Sequence, residues 1–180
     1  MDLVCASKAK TNFIISARHI AFGIAGALFF AVPDYFGRRN PLLITWFISL
    51  AAEFVVIFIP TYEARLIGNI IGGACALKQS VTFVWIFELL PEKRKTMASV
   101  SMSCFNTATI AIVCLYFWAV TKNWLPLFLG MSVLNAVAFI FSAFFMPESP
   151  KWLIEKGRVE EAIRGLNKIA KFNGVSKRIK

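Results

Sequence analysis

A bilayer core of about 30 Å demands roughly 20 consecutive helical residues with few charges, and five stretches of this chain meet that demand. They run from Phe13 to Val32, Leu42 to Pro60, Leu66 to Leu89, Met97 to Val120 and Trp124 to Met146. Backbone N–H and C=O groups cannot stay unpaired in hydrocarbon, so each stretch is predicted as a helix; the period-2 alternation that a membrane barrel needs is absent. Composition agrees, with 58% of residues hydrophobic and a mean hydropathy of +0.66. Soluble globular chains run at roughly 45–50% apolar residues, so the expected class is an all-α membrane protein.

An odd number of spans puts the ends of the bundle on opposite sides, and flanking basic residues choose which is which. Arg38, Arg39 and Lys93 to Lys95 share a side with Lys151, Lys156, Arg158 and Arg164, whereas Lys8, Lys10, Arg65 and Lys122 fall on the other. Nine against four places the Asp34 loop, the Glu92 loop and the C-terminus inside. The same bias accounts for the net charge of +10, since about half of the basic residues lie beyond Ser149, interleaved with acids. Membrane lipid is therefore an expected partner, and nucleic acid is not.

Cofactor and enzyme chemistry find no support. Cys5, Cys75, Cys104 and Cys114 lack the paired spacing of a zinc or redox centre, and His19 has no companion ligand. No Gly-x4-Gly-Lys-Ser/Thr loop and no nucleophile motif occur, so neither ATP-driven transport nor catalysis is expected. The opening residues do not read as a secretory signal, because the first apolar stretch is of spanning length and carries Arg18 and His19.

Small residues recur every fourth position as Gly68, Gly72 and Ala76, as Gly23, Ala27 and Ala31, and as Ser99, Ser103, Thr107 and Ala111. Each stripe is expected to admit a neighbouring helix at close range. Beyond Pro147, Val159, Ala162, Ile163, Leu166, Ile169 and Ala170 share one face, which predicts a cationic amphipathic helix ending at Asn173 and Gly174. Arg18, Glu53 and Lys78 are charged residues that fall well inside spans. At about 1.5 Å per residue, Arg18 and Glu53 lie at matching depths roughly 10 Å below the outer surface, so they are expected to pair as a structural bridge. Lys78, roughly 20 Å below Arg65, is left without that partner and is expected to face a water-filled substrate pathway, with Trp85 as an aromatic wall.

The loop Asp34-Tyr35-Phe36-Gly37-Arg38-Arg39 packs a carboxylate, a turn glycine and two arginines into a tight hairpin. Glu88 to Arg94 runs from the inner end of the third span into the next loop, and Pro147-Glu148-Ser149-Pro150-Lys151-Trp152-Leu153 follows the fifth span, with Lys156-Gly157-Arg158 behind it. Together with Asp2-Leu3-Val4-Cys5, these segments resemble the organic cation/anion transporter family of the major facilitator superfamily, with the sugar porters as near relatives. Phe30 and Tyr35 depart from that pattern, standing where the family has glycine and a basic residue.

The resemblance implies that the five spans correspond to the second through sixth helices of a twelve-helix fold, a partial N-terminal bundle. Residues 1–12 would then close an extracellular loop, 13–146 form the five-helix bundle, and 147–180 make a basic cytoplasmic tail. It also implies a cytoplasmic gating network of Asp34, Arg38, Arg39, Glu88, Arg94 and Glu148, and a plasma-membrane location. The implied function is transport of small organic ions by alternating access, which requires a second bundle as partner, from a second copy, another chain or other membrane subunits. Two further arrangements stay open: a shortened, non-transporting accessory subunit of a larger membrane complex, and an incomplete gene model of a full-length transporter.

Overall fold

A computed structural model of the chain describes residues 8–172 and 174. Asp2 to Cys5 and Asn173 lie outside the described residues. The described elements are helical: α1 (Lys8–Phe29), α2 (Val32–Phe36), α3 (Arg39–Phe58), α4 (Tyr62–Ala74), α5 (Leu77–Leu89), α6 (Glu92–Ala119), α7 (Leu125–Phe145), α8 (Pro150–Glu155) and α9 (Val159–Phe172). Five helical units are long and apolar enough to cross a membrane: α1, α3, α4 with α5, α6, and α7. The end of the bundle that carries the Asp34 and Glu92 loops is here the inner end. Helices overrun their apolar cores where the flanks favour helix. α6, for example, starts at Glu92 rather than Met97, because Lys93, Arg94 and Lys95 are good helix formers.

The third span is not the single helix that its apolar length predicts. It breaks between Ala74 and Leu77, where the N–H groups of Ala76, Lys78 and Gln79 reach back only three residues, to Gly73, Cys75 and Ala76, each at 3.1 Å. The adjacent Gly72 and Gly73 weaken the helix just before the break. Gly73 also has a packing role: a Cβ there would run into the backbone carbonyl of Arg18 on α1. Gly73 was not part of the expected stripe. Ala76, which was, is the residue that precedes α5 in the break.

α3 is the central element, touching α2, α4, α5 and α7, and it contributes the buried residues Leu42, Ser49, Leu50 and Ala52. Gly68 lets α4 approach α3 at Ala52 and Val56, while Gly72 and Gly73 face Arg18 of α1. α7 closes on α3 through Trp46 and Phe139, whose rings meet edge to face at 5.9 Å. Two of the three stripes behave otherwise than expected. Gly23 has nothing within 4 Å of its Cβ position, and Ser103, Thr107 and Ala111 are exposed on α6, which buries no residue at all. At the inner end α8 and α9 fold back on one another around Trp152, Leu153 and Ala162.

Candidate functional site

Polar residues gather at two levels. Toward the outer end, α1, α3, α4 and the start of α7 surround an open crevice of about 710 Å³. Its walls carry the cations Arg18, Arg65 and Lys122, one carboxylate, Glu53, and the aromatic Trp124. Arg65 lies 5.5 Å over the Trp124 ring, and its Nε is buried without a hydrogen-bond partner among the described residues. The indole face thus covers part of the guanidinium, and the buried Nε–H is a donor left open among the described residues.

Arg18 and Glu53 both line this crevice, but the structure does not join them as the expected pair. The Glu53 carboxylate is held from the opposite side, by Asn135 Nδ2 at 3.1 and 3.2 Å and Ser132 Oγ at 3.5 Å, both on α7. Asn135 in turn accepts from Trp46 Nε1 at 2.8 Å. The cause is azimuth: matched depth brings two residues to one level, and α7 presents donors to Glu53 at that level.

Lys78 stands at the foot of the crevice. Its Nζ donates to Ser49 Oγ at 2.7 Å, and Ser49 is itself buried and lines the crevice. On its other side Lys78 borders a second cavity of about 410 Å³, whose walls include Phe29, Pro33, Pro41 and Ile44 near the inner end. That second cavity is apolar, so the ammonium marks the boundary between a polar outer space and a greasy inner one. Trp85 is not part of this arrangement. Its indole N–H donates to the Pro147 carbonyl at 3.1 Å, which ties α5 to the segment after α7.

The inner end holds the second cluster. Arg38 bonds Asp34 one turn earlier and reaches Glu88 of α5 at 3.2 Å, with both partners of that second ion pair largely buried. Burial pulls the Arg38 guanidinium down, but its hydrogen bonds to Glu88 and Asp34 outweigh this and hold it above its ordinary value. Glu148 belongs to the cluster by a different bond from the one expected. Its Oε1 accepts the backbone N–H groups of Arg38 (2.8 Å), Arg39 (3.1 Å) and Ser149 (2.9 Å), so it closes the N-terminus of α3 instead of pairing with a guanidinium. Gly37 makes this approach feasible, since its φ of 91° suits glycine and a Cβ would occupy the space of the Glu148 carboxylate.

Arg39 turns away and donates to the Ala143 carbonyl at 2.7 Å. Arg94 is exposed and forms no ion pair among the described residues, so it lies outside the network in this structure. One turn into α6, it is carried with the helix into solvent, and Glu88 is already engaged by Arg38. Trp152 completes the inner end, donating from Nε1 to the Asp34 carbonyl at 2.8 Å. The run from Pro147 to Trp152 therefore binds three other segments at once: α5 through Trp85, the start of α3 through Glu148, and α2 through Trp152.

The sugar (and other) transporter family matches residues 5–180. The chain belongs to that family. Solute carrier family 22 member 7 of Bos taurus is 32% identical over 179 residues, a match that covers 96% of this chain and 31% of that protein. Organic cation/carnitine transporter 2 of Homo sapiens is 28% identical over 175 residues, covering 97% and 31%. This transporter-family chain thus spans about a third of the length of the curated relatives it matches. Among solved structures, the major facilitator superfamily proton:xylose symporter XylE superposes with a TM-score of 0.67 at 23% identity, over 92% of this chain and 42% of that one. The likeness to XylE shows the fold, and with the five apolar helices it makes this an integral, multi-pass membrane protein of major-facilitator architecture.

Proposed function

We propose that the chain forms part of an alternating-access transporter for small organic ions, with the outer crevice as the route by which solute approaches Lys78. The observation that carries this reading is the open, charge-lined space of about 710 Å³ that ends on the Ser49–Lys78 contact. Ionisable groups inside a membrane bundle are costly unless they face water or one another, and here they collect around one opening. Arg18, Arg65 and Lys122 outnumber Glu53, so the walls favour an anion, and the Trp124 and Phe128 side chains favour one with an apolar body. The inner cluster supports gating: Arg38 Nε, Arg39 Nε and Glu88 Oε2 are buried without partners among the described residues, a spare capacity that a second arrangement of the helix ends can use.

Alternating access needs two bundles moving about a shared site, so transport is assigned to an assembly in which these five spans meet a second bundle, in the plasma membrane by analogy with the relatives. The test is uptake of radiolabelled benzoate and of tetraethylammonium by native membrane vesicles that contain the chain. Saturable benzoate uptake that falls at least tenfold on Lys78→Ala, with tetraethylammonium excluded, supports the reading. Uptake indifferent to both Lys78→Ala and Arg65→Gln refutes the pathway, and absence of any gradient-driven uptake leaves a non-transporting accessory subunit as the better account.

A further inference from the structure

We propose that the groove between the inner end of α7 and α9 is a binding site for an anionic phospholipid of the inner leaflet. The groove has a volume of about 650 Å³ and is walled by Phe141, Phe145 and Pro147 on one side and by Lys168, Ile169 and Lys171 on the other. Phe141 and Phe145 stack with ring centroids 4.6 Å apart, yet they remain 56% and 51% exposed. At about 1.5 Å per residue the two rings extend the apolar wall roughly 6 Å along α7 from its inner end, the depth at which acyl chains begin.

Charge stands at the rim of this wall and not within it. Lys168 and Lys171 are three residues apart, hence on one face of α9, and neither forms an ion pair among the described residues. The acids of α9, Glu160 and Glu161, lie in its first turn, where Glu161 is taken by Arg158 at 2.7 Å. α9 is also held in place: Ala162 is packed against Trp152 and Leu153 of α8, and Trp152 is bonded to the Asp34 carbonyl. The groove is therefore a fixed feature of the inner end.

Two unpaired ammonium groups above an exposed aromatic wall match a molecule with an anionic head and a hydrocarbon tail. A phospholipid whose only head charge is its phosphate would set that phosphate against Lys168 and Lys171 and lay one acyl chain along Phe141 and Phe145. A choline head carries its own cation and loses most of the lysine attraction. A free soluble anion would use the lysines but leave the aromatic wall unfilled. The inference stands apart from the transport reading, because it depends on neither the outer crevice nor Lys78.

The experiment uses the purified full chain in nanodiscs of phosphatidylcholine containing trace spin-labelled phosphatidylglycerol or spin-labelled phosphatidylcholine, with the motionally restricted fraction as readout. Two lysines near a membrane surface predict roughly a thirtyfold preference for phosphatidylglycerol. The Lys168→Gln/Lys171→Gln variant is expected to bring the two lipids within about twofold of each other. Phe141→Ala/Phe145→Ala is expected to weaken retention of both lipids alike, and Lys93→Gln/Arg94→Gln, in the first turn of α6 at the inner end, to leave the preference intact. The proposal is overturned if the unaltered chain shows no preference, or if the preference survives loss of Lys168 and Lys171. It is equally overturned if loss of Lys93 and Arg94 abolishes the preference, which would make it a general surface charge. Displacement by millimolar inorganic phosphate would reassign the groove to a soluble anion and overturn the lipid assignment as well.

Discussion

Glu148 offers the sharpest test of how the inner end is held. Its Oε1 accepts three backbone N–H groups, from Arg38, Arg39 and Ser149, and Ser149 is wholly buried. Glu148→Ala removes the acceptor from all three. An orphaned buried donor costs about 1–3 kcal/mol, and with part of the α3 N-terminus able to reach water the low end applies, giving ~3 kcal/mol in total. Glu148→Gln keeps a carbonyl oxygen of similar reach and loses only the charge facing the helix N-terminus, a loss of ~1 kcal/mol. Gly37→Ala attacks the same contact from the other side, since φ 91° and ψ 170° define a region that suits glycine almost alone and a Cβ would displace the carboxylate. That variant is expected to cost ~3 kcal/mol, and combining it with Glu148→Ala should cost less than the sum of the two, because the clash disappears with the side chain.

The assay is reversible unfolding in mixed micelles, followed by tryptophan fluorescence. Trp85 and Trp152 both donate to carbonyls at the inner end and so report on it. A loss for Glu148→Ala of less than about 0.5 kcal/mol would refute the capping argument. If Glu148→Gln costs as much as Glu148→Ala, the charge and not the acceptor geometry dominates, and the reasoning from hydrogen bonds fails.

Other contrasts can be read in the same titration. Arg38→Gln leaves Glu88 buried and unpaired and is expected to cost about 3 kcal/mol, whereas Arg94→Gln should stay within about 0.5 kcal/mol of the unaltered chain; equal effects would put Arg94 back in the network. Gly73→Ala should lose about 2 kcal/mol through contact with the Arg18 carbonyl, while Gly130→Ala, with nothing within 4 Å, should be neutral or gain up to about 1 kcal/mol. Ser49→Ala takes the acceptor from Lys78 and is expected to cost about 1–3 kcal/mol; an unchanged midpoint would mean that water replaces the hydroxyl.

The spans were legible because their signal is one-dimensional: an apolar run of sufficient length must be a helix in lipid, whatever its neighbours. The Arg38–Glu88 ion pair falls within the cluster that the family resemblance implies, and the position of both residues at the inner ends of their helices permits it. Arg18 and Glu53 show the limit. Counting residues gives depth but not azimuth, and Glu53 turned to α7, whose Ser132 and Asn135 are polar residues three apart in a predominantly apolar helix. That spacing was a usable signal, because polar groups on one face of a span seek a partner. The Trp85 bond to Pro147 joins residues sixty-two apart, and nothing local to either marks it. The third span hid its break for the opposite reason: hydropathy passes smoothly through Gly72 and Gly73, which count as apolar-compatible yet weaken the helix that contains them.

The stripes of small residues divide along the same line between backbone and side chain. Gly68 and Gly73 have no side chain to interpose, so α4 reaches the backbone of α3 at Ala52 and of α1 at Arg18, while Gly72 leaves room for the Arg18 side chain. On α6 three of the four recurring residues carry hydroxyls, and Thr107 among them bonds back to the Ser103 carbonyl at 3.0 Å, as its neighbours Ser101 and Thr109 do to Met97 and Phe105, each at 2.9 Å. A hydroxyl satisfied within its own helix needs no second helix, so α6 can present Thr107 and its neighbours Ser101 and Thr109 outward without leaving them unpaired. Phe105, Ile110, Leu115 and Trp118 are exposed along the same helix, which gives it the apolar surface that lipid or another membrane helix accepts. Spacing at every fourth residue therefore predicts close packing only where the small residue is glycine and a neighbour's backbone is there to meet it. With serine and threonine the same spacing is equally compatible with an outward-facing span, and α6 is such a span in this chain.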